Sequence, residues 1–267
     1  MSTIFNDKDN VRRAAVAGSF YPSSSGELTT MVKQMLNDAK TFSVKSNCMI
    51  VPHAGYIYSG PVAATAYKTL SSERDNIKRV MIIGPSHHQY FKGLCVHSAK
   101  YFETPLGRIE LDQEYIKEKI KQKVVHINDE AHNNEHSLEV QLPFLQILLP
   151  NIKLVPVLFS DCDISQIINL IEDNWNKETL ILISTDLSHF HDYYIARHID
   201  GETVENIMNK NFDKITPDKA CGSLALRAAL AFASKKNFSI EKLDVRNSGD
   251  TAGGTERVVG YGAFALC

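Results

Sequence analysis

The sequence predicts an α/β fold: one domain over residues 1–267, built around a mainly parallel β-sheet flanked by helices. Three observations predict it. Short β-branched, apolar runs alternate with stretches of helical spacing, the pattern of strand–helix units feeding a parallel sheet. Two of those runs, Met49–Val51 and Val80–Ile83, lead directly into Val51-Pro52-His53-Ala54-Gly55-Tyr56 and Gly84-Pro85-Ser86-His87-His88, each a histidine on a Pro- and Gly-bearing turn. No internal repeat, low-complexity stretch or Gly/Ser-rich linker divides the 267 residues.

In order along the chain, Gly26–Ala39 reads as an amphipathic helix, with Leu28, Met31, Val32 and Leu36 at helical spacing. Strand 49–51 follows, then a helix over Pro61–Leu70 and strand 80–83. Leu94–Ala99 and Arg108–Leu111 flank the Thr104-Pro105-Leu106-Gly107 turn and read as a hairpin. Glu135–Leu149 has helical spacing, with Pro143 marking a kink or a restart. Leu154–Phe159 and Leu180–Ser184 read as strands around a helix over Ser165–Asn174. Pro217–Ser234 is an Ala-rich helix, and Arg257–Leu266 closes the chain as a strand whose Gly260 and Gly262 permit close backbone approach.

Composition narrows the function classes. The 43% hydrophobic and 22% charged fractions are those of an ordinary globular protein with a sizeable core. With 29 basic and 31 acidic residues the net charge is −2, and no aromatic-plus-basic stretch argues for nucleic acid or a membrane surface as a partner. No apolar run reaches a membrane span, and Met1–Lys8 lacks a secretory pattern. Five cysteines, odd in number and without a CxxC, read as free thiols in a reducing cytoplasm.

The chemistry-bearing residues follow from where ligands bind in such sheets, in the crevice beyond the carboxyl ends of the strands. His53 and His87 stand there on separate strands and form the best pair for a metal site. His88 should point elsewhere and serve a supporting role. After strand 180–184, Asp186 either enters the same crevice or caps the next helix. His189 suits acid/base work near neutral pH. Cys221, in or just before the first turns of an apolar helix, is either a thiolate ligand favoured by the helix N-terminus or a packed thiol. His136 and Glu139, spaced i, i+3, would share a helical face as a supporting His–carboxylate pair, or else mark a solvated helix start. The Gly-rich Asn247–Gly254 stretch reads as a loop bordering the crevice.

Taken together, Pro52-His53-Ala54-Gly55-Tyr56, Gly84-Pro85-Ser86-His87-His88, Glu135-His136-Ser137-Leu138-Glu139, Asp186-Leu187-Ser188-His189 and Ala220-Cys221-Gly222 resemble, in this order, the motifs of the Memo-like proteins. Ala17–Pro22 and Val259–Ala263 extend the resemblance over almost the whole chain. The family is also called AmmeMemoRadiSam system protein B, for its co-occurrence with a radical-SAM protein and a second companion family, which the resemblance implies as partners. It further implies a fold like that of class III extradiol dioxygenases, with His53, His87 and Cys221 as metal ligands, His189 as acid/base histidine and Asp186 beside it. Two imidazoles and a thiolate suit iron, copper or zinc, where the dioxygenases complete a two-His site with a carboxylate.

Three functions compete at this stage. One is a metal-dependent redox enzyme, dioxygenase-like, acting on a small molecule with iron or copper. A second is a binding or scaffold protein whose pocket takes a peptide or small ligand, as the association of animal members with phosphotyrosine signalling suggests. The third is a zinc hydrolase with Asp186 or His189 as base. The redox reading leads.

Overall fold

The computed structural model describes residues 10–72 and 74–267. The N-terminal stretch read above for a leader lies outside them. In chain order the elements are β1 (Val11–Arg12), α1 (Ser25–Asp38), β2 (Cys48–Val51), α2 (Tyr56–Lys68), β3 (Arg79–Pro85), β4 (Leu94–Val96), β5 (Tyr101–Thr104), β6 (Gly107–Glu110), α3 (Gln113–Lys121), β7 (His126–Ile127), α4 (Asp129–Asn133), α5 (Leu142–Leu148), β8 (Lys153–Phe159), α6 (Ile164–Asn174), β9 (Thr179–Ser184), β10 (His189–His191), α7 (Tyr193–Met208), α8 (Ser223–Lys236), β11 (Ile240–Asn247) and β12 (Val258–Leu266).

The main sheet runs β10-β12-β2-β9-β3-β8-β4-β7, with β11 also paired to β12. Its centre, β2-β9-β3-β8, is parallel, as the continuous apolar runs predict for strands covered on both faces. The flanks are not. β12 returns antiparallel to β2 and carries β10 and β11 antiparallel to itself, while β4 runs antiparallel to β8. The sheet is therefore mixed, not mainly parallel. The reason is local: after β11 only a short 3-10 turn and loop precede β12, too little chain for the crossover that a parallel return needs.

Crossovers β2-α2-β3 and β8-α6-β9 run in opposite directions along the sheet, so right-handed connection places their helices on opposite faces. α1 packs on α2 on one side, and α6 with α8 on the other. The strands between are fully buried: Met49, Ile50, Val80–Ile83 and Leu180–Ile183 expose essentially nothing. Among the described residues no helix is long and apolar enough to cross a membrane.

Several boundaries move for physical reasons. The hairpin on the Thr104–Gly107 turn is β5–β6, whereas Leu94–Val96 leaves it to join the main sheet beside β8. α2 begins five residues ahead of Pro61, at Tyr56. Residues 135–138 are not helical: a 3-10 turn starts at Glu139, and Pro143 sits in the first turn of α5, so it marks a start. α8 begins at Ser223, not Pro217, and Cys221 precedes its Gly222 cap.

Candidate metal centre

β9 lies between β2 and β3, with Val51 opposite Ser184 and Ile83 opposite Ile183, so three carboxyl ends open at one edge of the sheet. Strands two places apart are separated by about 9.5 Å, yet the rings of His53 and His87 approach to 5.2 Å between centroids. The two turns lean over β9 to achieve this. His136 joins them from the 135–138 segment, its ring stacked on His87 at 4.6 Å and edge-on to His53 at 5.4 Å. One ligand nitrogen from each of His53, His87 and His136 lies within 4.8 Å of the others, a group able to hold a metal ion.

Each ring is held from behind. The Nδ1 of His53 lies 2.9 Å from the Ser184 hydroxyl. The Nδ1 of His87 lies 2.9 Å from Oε1 of Glu135, and the Nδ1 of His136 lies 3.3 Å from that same oxygen. Glu135 also accepts the backbone N–H groups of His87, His136 and Ser137, the last two left free by the non-helical backbone of 135–137. Burial opposes ionisation of Glu135, but the His87 hydrogen bond and charge together with those amides hold its carboxyl well below the usual range. Burial, then repulsion from His87 and His136, lowers His53 well below the usual imidazole range. Burial likewise lowers His136 to about 4. Neutral imidazoles fixed by a carboxylate or hydroxyl are what metal ligation requires. The residues present therefore fit a resident metal ion.

Cys221, expected as the third ligand, stands at the edge of this group and is not part of it. Its Sγ is 3.2 Å from Nε2 of His53 and accepts the Asp186 amide at 3.3 Å. Burial, then the nearby Asp186 carboxylate, pushes the thiol to about 12. The described cluster is thus three imidazoles, with the sulfur of Cys221 against one of them. Gly222 seats the thiol: its amide donates to Thr185 Oγ1, and a Cβ there would come within 2.6 Å of Thr185 Cβ.

The other expected residues fall variously. Asp186 does not cap a helix; α7 is capped by Asp192. Instead Asp186 accepts the His53 amide at 2.7 Å, and burial, set against its backbone hydrogen bonds, raises it to about 7. His189 starts β10 and faces a cavity of about 400 Å³ that it shares with Phe20, Tyr58, His136, Asp186 and Arg257. Ser248, Gly253 and Gly254 of the Gly-rich loop border the same cavity. His88 is exposed, its ring 6.3 Å from that of His136.

Glu139 shares no helical face with His136. It is wholly buried, paired with Arg12, and accepts the Ala15 and Val16 amides and the Tyr21 hydroxyl. Its work is to anchor the N-terminal segment, which in turn lays Phe20 against His136 at 4.7 Å. Sequence reasoning missed Glu135, Ser184 and Arg257. Glu135, next to His136 and followed by two residues whose amides it accepts, carried a usable signal. Ser184 and Arg257 carried none.

Fold and pocket together define a class: a mixed α/β protein with a triple-imidazole centre at the carboxyl ends of its strands. The comparisons with known proteins narrow this. The profile of the Memo-like proteins matches residues 12–265. A MEMO1 family protein of Caldivirga maquilingensis is 34% identical over 96% of this chain and 98% of its own length. One from Metallosphaera sedula is 34% identical over 94% of this chain and 97% of its own, and one from Nitrosopumilus maritimus 33% identical over 95% and 98%. The chain belongs to the Memo-like family. Among solved structures, an uncharacterized protein of Escherichia coli K12 overlaps 80% of this chain and 98% of its own at a TM-score of 0.47 and 13% identity, too slight a likeness to establish the expected dioxygenase-like fold.

Proposed function

We propose that this protein is a metal-dependent redox enzyme acting on a small organic molecule bound in the cavity beside its imidazoles. The observation that carries this reading is the convergence of His53, His87 and His136 within 4.8 Å. Their rings are held by Ser184 and Glu135, and His136 lines a cavity large enough for a small ligand. The cluster would hold iron or copper, with zinc also compatible with imidazole donors, and Cys221 is near enough to His53 to add a softer donor. A bound iron or copper ion would supply electron transfer and Lewis acidity at open coordination positions.

The chain's own residues do the rest. Glu135 and Ser184 fix which nitrogen each ring offers. Phe20, Tyr58 and Tyr261 keep the cavity apolar. His189, whose protonation burial disfavours, lines the cavity with His136 and would serve as proton acceptor.

Elemental analysis of protein purified without chelator, beside a His53→Ala/His87→Ala variant, tests the reading. Near-stoichiometric iron or copper, lost in the variant, is expected. Full metal content in a folded variant overturns it, and stoichiometric zinc with ester or amide turnover would favour a hydrolase.

A further inference from the structure

Arg257 is an exposed cation in the cavity lining. It lies in the loop leading into β12, lines the mouth of the cavity beside the imidazoles, and among the described residues has no carboxylate partner. Its guanidinium carbon sits 5.1 Å over the ring of Phe190. Phe190 itself has a left-handed backbone, φ 63°, a conformation that bulky side chains rarely adopt and that marks functional segments when it is retained. It sits one residue after His189 and remains 60% exposed. Its ring lies under Arg257.

No other arginine or lysine lines the cavity. Phe20, Tyr58, Val259 and Tyr261 supply apolar and aromatic wall beside the imidazoles of His136 and His189. Asp186 is the one carboxylate in the lining, and it is already engaged by the backbone N–H groups of His53 and Ala54. One unpaired guanidinium over aromatic walls matches a ligand with one negative charge and a flat apolar body. A dianionic phosphate would call for a cluster of cations, and Arg257 is the only one in the lining.

We propose that Arg257 is the specificity-determining anchor of the cavity and that the substrate is a small aromatic monocarboxylate, its carboxylate on Arg257 and its ring toward the imidazoles. This rests on the reading of the cavity as the substrate site, but not on the metal. The test is calorimetric binding of benzoate, benzamide and phenyl phosphate to the metal-free and metal-loaded protein and to Arg257→Gln and Arg257→Lys, with metal content measured alongside. Benzoate should bind about tenfold or more tighter than its neutral amide, the range of a charge-assisted hydrogen-bonded pair. Arg257→Gln should erase that preference with metal content unchanged, and Arg257→Lys should restore part of it.

Equal binding of benzoate and benzamide to the wild type, or no benzoate binding at all, overturns the proposal. So does benzoate affinity that survives Arg257→Gln but vanishes with the metal, which would seat the carboxylate on the ion. Phenyl phosphate bound tighter than benzoate overturns the commitment to a carboxylate. A wild type that takes up no metal yet binds benzoate through Arg257 would sink the redox reading and leave the anchor standing.

Discussion

The hydroxyl of Ser184 has one hydrogen to donate and gives it to the Ser137 carbonyl, 2.6 Å away. It must therefore accept from His53, which fixes that ring as its Nδ1–H form and leaves Nε2 bare toward Cys221. Glu135 does the same for His87 with a full charge. Glu135→Gln should leave the protein folded but lower metal affinity about 10- to 100-fold, the usual cost of losing a ligand's supporting carboxylate; competition with a chromophoric chelator would measure it. The ligand set itself is decided by a pair of variants. His136→Ala should lose metal as completely as His53→Ala does, whereas Cys221→Ser should retain it with a changed absorption spectrum. Loss of metal in Cys221→Ser with retention in His136→Ala would exchange their roles.

Elements carry these residues only because the turns between them are shaped for it. Gly222 touches the backbone of β9: a Cβ there would meet the Ser184 carbonyl at 2.8 Å and Thr185 Oγ1 at 2.8 Å. Gly222→Ala should cost about 1–3 kcal/mol, read as a lowered denaturant midpoint, and should displace Cys221 from His53. How far such elements were legible depends on whether one segment's own pattern decides them. The buried central strands were, because uninterrupted apolar runs lead to His53, His87 and Asp186. The 135–138 segment was not. Its spacing is helical, yet Glu135 satisfies the amides of His136 and Ser137 with its own side chain, a local competition that periodicity does not register. β11 was missed because its Lys242, Asp244 and Arg246 dilute the apolar signal of a flanking strand, and the antiparallel return of β12 depends on β11. Cys221 reads as lying in or just before the first turns of a helix begun at Pro217, whereas it precedes the Gly222 cap, and its distance from His87 and His136 is a tertiary fact.

For the molecule as a whole, two buried polar groups away from the imidazoles set limits on stability. Arg12 is enclosed by Glu139 and by the carbonyls of His132 and Glu135. Removing the charge with Glu139→Gln should destabilise by about 3–5 kcal/mol, because Arg12 is left buried and uncompensated; chemical denaturation would show it. His132 is lowered to about 3 by burial, with repulsion from His97 adding to it. Its unfolded form takes up a proton near pH 6.5 while the folded form does not, so the stability this confers is complete above that pH and drains away as the solution is acidified toward 3. Between pH 6 and 4 the wild type should therefore lose about 1.4 kcal/mol more per pH unit than His132→Gln does; equal slopes in denaturation at stepped pH would refute this. The groups that meet at the centre are drawn from far apart in the chain, His53 and Cys221 being separated by 168 positions and His87 and Glu135 by 48. No fragment short of the assembled sheet brings them together, so capture of an ion reports completion of the fold. Any ion held there would stabilise only the finished structure, so metal uptake would follow folding and not precede it.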